Sequence, residues 1–217
     1  GNEADDIKTS EQKRHEEFVL GKDDLGMSDN VISERGAMQI SAVYACVRVL
    51  SEDFASLPLH LFRQNGKNRE KAEMHPLYDL LYIKPNREMT SFTLREVGMA
   101  NLLLWGNCYI QKIYDKAGNI IELWPLLSER MRVDRDTTTN EIRYHYMPLK
   151  GSTVTLTRKD ILHIPGLSFD GLTGLSPITL ARKSLQTARA AQQYGSKFFE
   201  NGARPGGVLE HPGTLEN

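Results

Sequence analysis

The sequence predicts an α+β fold, an antiparallel β-meander packed with helices and followed by one long α-helix. Three observations carry this. Apolar residues recur at helical spacing over 41–57 and 91–105, and the period changes to two between 108 and 164. A third helical stretch then opens at Ser176-Pro177 and stops at Asn201-Gly202.

The elements follow in order along the chain. Residues 1–30 hold nine Asp and Glu against four Lys and Arg, a net of −5, with few large apolar side chains. Such a stretch buries too little to offset its ordering entropy and is expected to be a flexible acidic arm, with at most a short helix near Glu11–Leu20. Residues 31–175 read as one mixed domain. Ser41 opens a helix whose apolar positions Val43, Val47, Leu50, Phe54 and Leu57 step by three and four, so this stripe is expected to face the core. Pro58 ends that helix, Leu59–Phe62 is expected as a strand, and Gln64–Asn68 as a polar turn. His75-Pro76 starts a short helix to Tyr82, and a longer one spans Ser91–Trp105 with Gly106-Asn107 as its stop. Strands are expected over Cys108–Tyr114 and Ile120–Trp124, joined through Gly118, then Arg130–Asp134 and Glu141–Tyr146, then Thr153–Thr157 and Ile161–Ile164. The glycine-punctuated link 166–175 leads to Ser176 as N-cap and Pro177 at the first helical position. The helix 176–202 is long for a chain of this size. Residues 203–217 are expected as extended, glycine-rich chain.

Charge and composition exclude several classes. The 217 residues carry 27 Lys and Arg against 28 Asp and Glu, a net of −1, which argues against coating nucleic acid through bulk charge. The densest apolar run, Leu102–Trp105, is far short of the ~20 residues that span a bilayer. Nothing resembles a signal peptide. Two cysteines, Cys46 and Cys108, fit packing in a reducing compartment and exclude a disulfide scaffold.

No catalytic, metal or cofactor constellation is expected. Gly21-Lys22-Asp23 and Gly66-Lys67-Asn68 both lack the Ser or Thr that completes a phosphate-binding loop. Ser168 lies outside any Gly-x-Ser-x-Gly. The histidines His15, His60, His75, His145, His163 and His211 do not fall at metal-ligand spacing. Asp134 and Asp136 read as parts of a Thr-rich turn. The strongest enzymatic alternative is a hydrolase using His163 with Asp160 or Asp170. A third reading is an adaptor whose acidic arm binds a basic partner.

The long helix is the informative element. Ile178, Ala181, Leu185, Ala188, Ala191, Gly195 and Phe198 form a stripe near 3.5-residue spacing, with small side chains in its middle that let another helix approach. Arg182, Lys183, Arg189 and Lys197 are the candidates for weak, sequence-independent contact with phosphates.

Several stretches taken in order resemble one family. They are Ser41–Arg48 with Leu57-Pro58-Leu59, His75-Pro76-Leu77, Pro85-Asn86 with Met89-Thr90, and Leu104–Tyr109. They continue in Asp115–Gly118, Ile161–Ile164, Gly171–Ile178 and Phe198–Pro205. Together they resemble phage portal proteins of the Hong Kong 97 type. That resemblance implies a ring, usually dodecameric, at one vertex of a tailed-phage capsid, through which terminase drives double-stranded DNA. It implies a non-catalytic subunit without cofactor or membrane. The partners implied are further copies of itself, the terminase large subunit, the major capsid protein, a head–tail adaptor and DNA bound without sequence preference. The implied places are the virion and, during assembly, the bacterial host cytoplasm. By the same resemblance, 31–175 is the wing, 176–202 a stem helix and 203–217 the start of the clip. Family members run to nearly twice this length, so the chain is expected to be the N-terminal portion of a portal.

Overall fold

A computed structural model describes residues 31–202. The acidic arm 1–30 and the clip segment 203–217 lie outside the described residues.

Among the described residues, five α-helices and eight strands follow one another. The helices are α1 (Glu34–Ala37), α2 (Ser41–Ser56), α3 (Pro76–Tyr82), α4 (Ser91–Trp105) and α5 (Pro177–Glu200). The strands are β1 (Phe62–Asn65), β2 (Asn68–Lys71), β3 (Asn107–Tyr114), β4 (Ile120–Leu126), β5 (Met131–Arg135), β6 (Ile142–Tyr146), β7 (Val154–Thr157) and β8 (Ile161–Pro165). The fold is α+β, with antiparallel strands in small sheets and a long final helix.

Local chemistry sets most boundaries. Thr90 caps α4 by accepting from Thr93 N, and Gly106 ends it at φ +73°. Pro177 occupies the first turn of α5, behind Ser176, whose side chain accepts from Thr179 N. Gly118 turns the β3–β4 hairpin at φ +84°.

The strands do not form one continuous meander. They split into a β1–β2 hairpin, a sheet ordered β4-β3-β8 and a sheet ordered β5-β6-β7. β8 returns to pair with β3, so Tyr109 stands opposite Leu126 on one side and His163 on the other. The reason is visible on β3, which is buried on both faces. Cys108 and Ile110 join Leu94 and Leu123 under α3 and α4, while Tyr109 joins Tyr144 and Ile161 against the second sheet. A strand covered on both faces needs pairing partners on both edges. Helices, sheet and sheet thus form three layers, with each fully buried large apolar side chain contributing about 2 kcal/mol.

Two expectations change. The strand expected at Leu59–Phe62 begins only at Phe62, whereas the polar turn expected at Gln64–Asn68 is present and tight. Asn65 pairs with Asn68 across Gly66-Lys67, because Gly66 at φ +61° permits a tight two-residue connection. The apolar stripe of α2 is also turned. Val47, Ser51 and Ala55 are the buried positions, whereas Leu50, Phe54 and Leu57 are 48%, 45% and 58% exposed. Small side chains let α2 lie close to α4, and the bulky ones are left at its flank. Cys46 is correspondingly exposed rather than packed inside, while Cys108 is buried and its thiol is pushed up to about 11 by that burial.

Candidate functional site

The site with the most built structure is the junction where the body hands over to α5. It begins with glycine. Gly106 leaves α4 with a left-handed backbone, and a β-carbon there would lie 2.1 Å from Leu175 O. At Gly174 a β-carbon would lie 1.9 Å from Gly106 O. Both positions must lack a side chain for the link 166–175 to lie against the end of α4. Gly166 N donates to Gly106 O at 2.8 Å, and Leu175 N donates to Leu167 O at 2.7 Å, closing the link into a loop.

Asn107 is the hub. It is buried, and its Oδ1 accepts from Gly174 N at 2.7 Å and faces His163 Nε2 at 3.0 Å. Its Nδ2 donates to Gly174 O at 2.8 Å and Trp105 O at 3.1 Å. One amide thereby meets both polar groups of a glycine 67 residues away. Nearby, Ser128 Oγ donates to Asn107 O at 2.8 Å.

His163 stacks on Tyr109 with ring centroids 4.5 Å apart, and its edge contact with Tyr144 is at 5.6 Å. Burial first, and the Arg158 charge second, lower its pKa to about 4. The ring is therefore neutral near pH 7, with Nε2–H pointing at the Asn107 oxygen. Neither expected carboxylate reaches it. Asp160 accepts from Thr157 N and Thr157 Oγ1 at 2.9 and 2.7 Å. Asp170 accepts from Ser168 Oγ and from Leu172 N and Thr173 N, and these bonds hold its pKa down at about 2. The hydrolase alternative loses its acid–base pair, and His163 is a partnered structural histidine. Asp136 likewise accepts from Thr138 N and Thr139 N, as the Thr-rich turn requires, and Asp134 faces His145 Nε2 at 3.1 Å. Among the described residues no cluster of His, Cys, Asp or Glu is placed to hold a metal ion, and no helix is long and apolar enough to cross a membrane.

The first turn of α5 is fastened from two directions. Ser176 Oγ lies 2.7 Å from Leu104 O and 3.0 Å from Glu34 Oε1. Thr179 Oγ1 donates to the same Glu34 oxygen at 3.0 Å, which puts a carboxylate at the positive end of the helix. The neighbouring Arg35 forms a two-pronged pair with Glu129, so α1 ties the helix start to the sheet layer. Ile178 enters the cluster of Ile32, Ala37, Ile40, Val47 and Leu104, and Leu185 packs at its edge.

Beyond that, little among the described residues covers the helix. Ile178 is the one buried residue of the 24 in α5. Ala181, Ala188 and Ala191 are exposed, as are Leu180 at 60%, Tyr194 at 75% and Phe199 at 74%. Of the stripe read from sequence, Ile178 and Leu185 pack in an apolar cluster with the body and Ala181 lines the gap beside them; among the described residues Ala188, Ala191, Gly195 and Phe198 join no buried apolar cluster. The four cations differ in exposure. Arg182 and Arg189 are half-buried beside Ile178 and Leu185, and Arg182 donates to Thr179 Oγ1 at 3.2 Å. Lys183 and Lys197 are exposed. A rod of about 36 Å with one end buried is poorly supported by the described residues, since helices draw most of their stability from packing an apolar face.

The sequence alone missed the Asn107 hub. Gly106-Asn107 was legible as a helix stop, but its bond to Gly174 is long-range, and only the cluster Gly166, Gly171, Gly174 hinted at a close backbone approach.

Comparison with known proteins bears on this body-and-rod arrangement. The family model for phage portal proteins matches residues 41–217. The chain belongs to the phage portal protein family. It is 36% identical over 199 residues to a probable portal protein of Streptomyces phage phiC31, covering 88% of this chain and 43% of that relative. It is 35% identical over 185 residues to the portal protein of Enterobacteria phage HK97, covering 84% and 43%. Among solved structures, it matches a chain in the neck of a native gene transfer agent particle computed with C12 symmetry. That match has a TM-score of 0.66 and 25% identity, over 88% of this chain and 52% of the other. This portal-family chain therefore spans less than half the length of these two curated relatives.

Proposed function

We propose that the chain is the wing and first stem helix of a portal subunit, a non-catalytic wall segment of a ring at a capsid vertex. The observation that carries this reading is α5, fastened at one end and left with unpartnered apolar surface along most of its length. Such a helix gains packing when it stands beside identical neighbours, and a neck of C12 symmetry in a structural relative is consistent with that arrangement. The ring is a dodecamer that conducts double-stranded DNA during packaging and ejection and joins head to tail. Its partners are the terminase large subunit, the major capsid protein and a head–tail adaptor, first in the host cytoplasm and then in the virion.

DNA moving through the ring must not be held. Phosphate binding grows steeply with the number of cations engaged, so a sparse set suits a conduit. The exposed Lys183 and Lys197 are the DNA-facing candidates; Arg182 and Arg189, half-buried, act on phosphates less directly.

The deciding experiment is electron microscopy of a portal of the relatives' full length that contains this chain. Twelve-fold rings that support packaging in a terminase-driven assay are the expected result. A full-length product that stays monomeric while packaging proceeds would overturn the reading.

A further inference from the structure

A cleft of about 310 Å³ runs between α2 and α5. Its walls include Val43, Cys46 and Leu50 on α2 and Ile178, Ala181 and Leu185 on α5, and none of its ten lining residues is charged. It continues along α2 into the exposed Phe54 and Leu57. The body offers nothing more to fill it.

The other side of α5 presents a second apolar stripe. Leu180, Thr187, Tyr194 and Phe198 are spaced by seven, seven and four, so they line one face. Leu180, Tyr194 and Phe198 are 60%, 75% and 40% exposed. This stripe is bulky where the cleft side, with Ala181, Ala188 and Gly195, is small.

We infer that the cleft receives the Leu180–Phe198 face of the α5 helix of the next copy in the ring. This rests on the portal reading above and adds which two surfaces meet. A cyclic ring needs two unlike, mutually complementary faces on each copy. Rotation about the ring axis also holds equivalent residues at one height. Leu180 of the neighbour thus comes level with Ala181 and enters the cleft, while its Tyr194 and Phe198 come level with Gly195 and the small residues near it. Charge agrees at the rim. Asp53 lies three residues after Leu50 and four before Leu57, on the cleft side. Lys183 and Lys197 each lie three residues after a member of the bulky stripe, Leu180 and Tyr194. All three are exposed and belong to none of the described ion pairs.

Native Cys46 makes the test direct, because it is exposed in the cleft while Cys108 is buried. Full-length rings carrying Leu180→Cys are treated with a short bis-maleimide and separated under denaturing conditions. The expected result is a ladder of covalently joined subunits. The ladder is lost on adding Cys46→Ser, and it is absent for Gln193→Cys, four residues from both Arg189 and Lys197 on the basic side. Rings that form normally but give no Leu180→Cys ladder overturn the inference and leave the portal reading intact; they are the outcome if later parts of the same chain fill the cleft. Loss of the rings themselves, seen by microscopy before cross-linking, overturns the portal reading and this inference with it.

Discussion

The shoulder around Asn107 and the far two-thirds of α5 sit next to each other in the chain and are built on opposite terms. At the shoulder Asn107, Ser176 and the backbone of Gly106 and Gly166 are partnered, and two missing β-carbons let backbones touch. Past Leu185 no side chain of α5 is buried. Among the described residues the first region is covered and the second is largely bare. Unfinished surface of this kind, on a helix that begins with such firm anchorage, marks where the molecule expects company.

The contrast can be broken or sharpened by substitution, judged on the stability of the body. Gly174→Ala should do most, since its β-carbon would fall 1.9 Å from Gly106 O. A loss of about 3 kcal/mol in urea unfolding is expected, in line with other overpacked backbone contacts. Retention of full stability would mean the shoulder is soft. Asn107→Ala comes next. It strands the buried amide groups that Asn107 serves and should cost about 2 kcal/mol by the same measurement.

A pH-dependent effect appears on acidification. His163 has a pKa of about 4 in the fold, against about 6.5 in an unfolded chain. Between those values only the unfolded chain binds the proton, so stability falls as pH drops from 6.5 toward 4. Urea midpoints measured over that range should fall less in His163→Gln than in the parent. Parallel curves would remove His163 as the acid-sensitive group.

The smallest effect on the body belongs to the rod. Ala188→Trp or Gly195→Trp should change monomer stability by less than about 0.5 kcal/mol, as exposed sites do, yet abolish ring assembly followed by sedimentation. Equal damage to both would show that these positions serve the subunit rather than its neighbours.

Local signals wrote much of this fold openly. Ser176-Pro177, Thr90 with Gly106, and Gly118 announce helix and hairpin limits because caps and turns depend on a few adjacent residues. The return of β8 to β3 was hidden, since strand order depends on which faces are buried and not on the strand's own pattern. The α2 stripe was seen and assigned the wrong side. Periodicity reveals that Leu50, Phe54 and Leu57 form a face but not whether the chain itself covers it. Family resemblance was legible in short ordered motifs and is borne out over residues 41–217. The Asn107 hub could not be read, because it joins groups 67 residues apart.

One consequence follows from fastening a long helix only near its first turn. A swing of about 5° at Ser176 would displace the far end by roughly 3 Å, given a length of about 36 Å. The fit of two glycines at the shoulder is thereby magnified, like a small angular error at a hinge pin read off at the tip of a long lever. A change in the approach of Gly174 to Gly106 would reappear, enlarged, at the far end of α5.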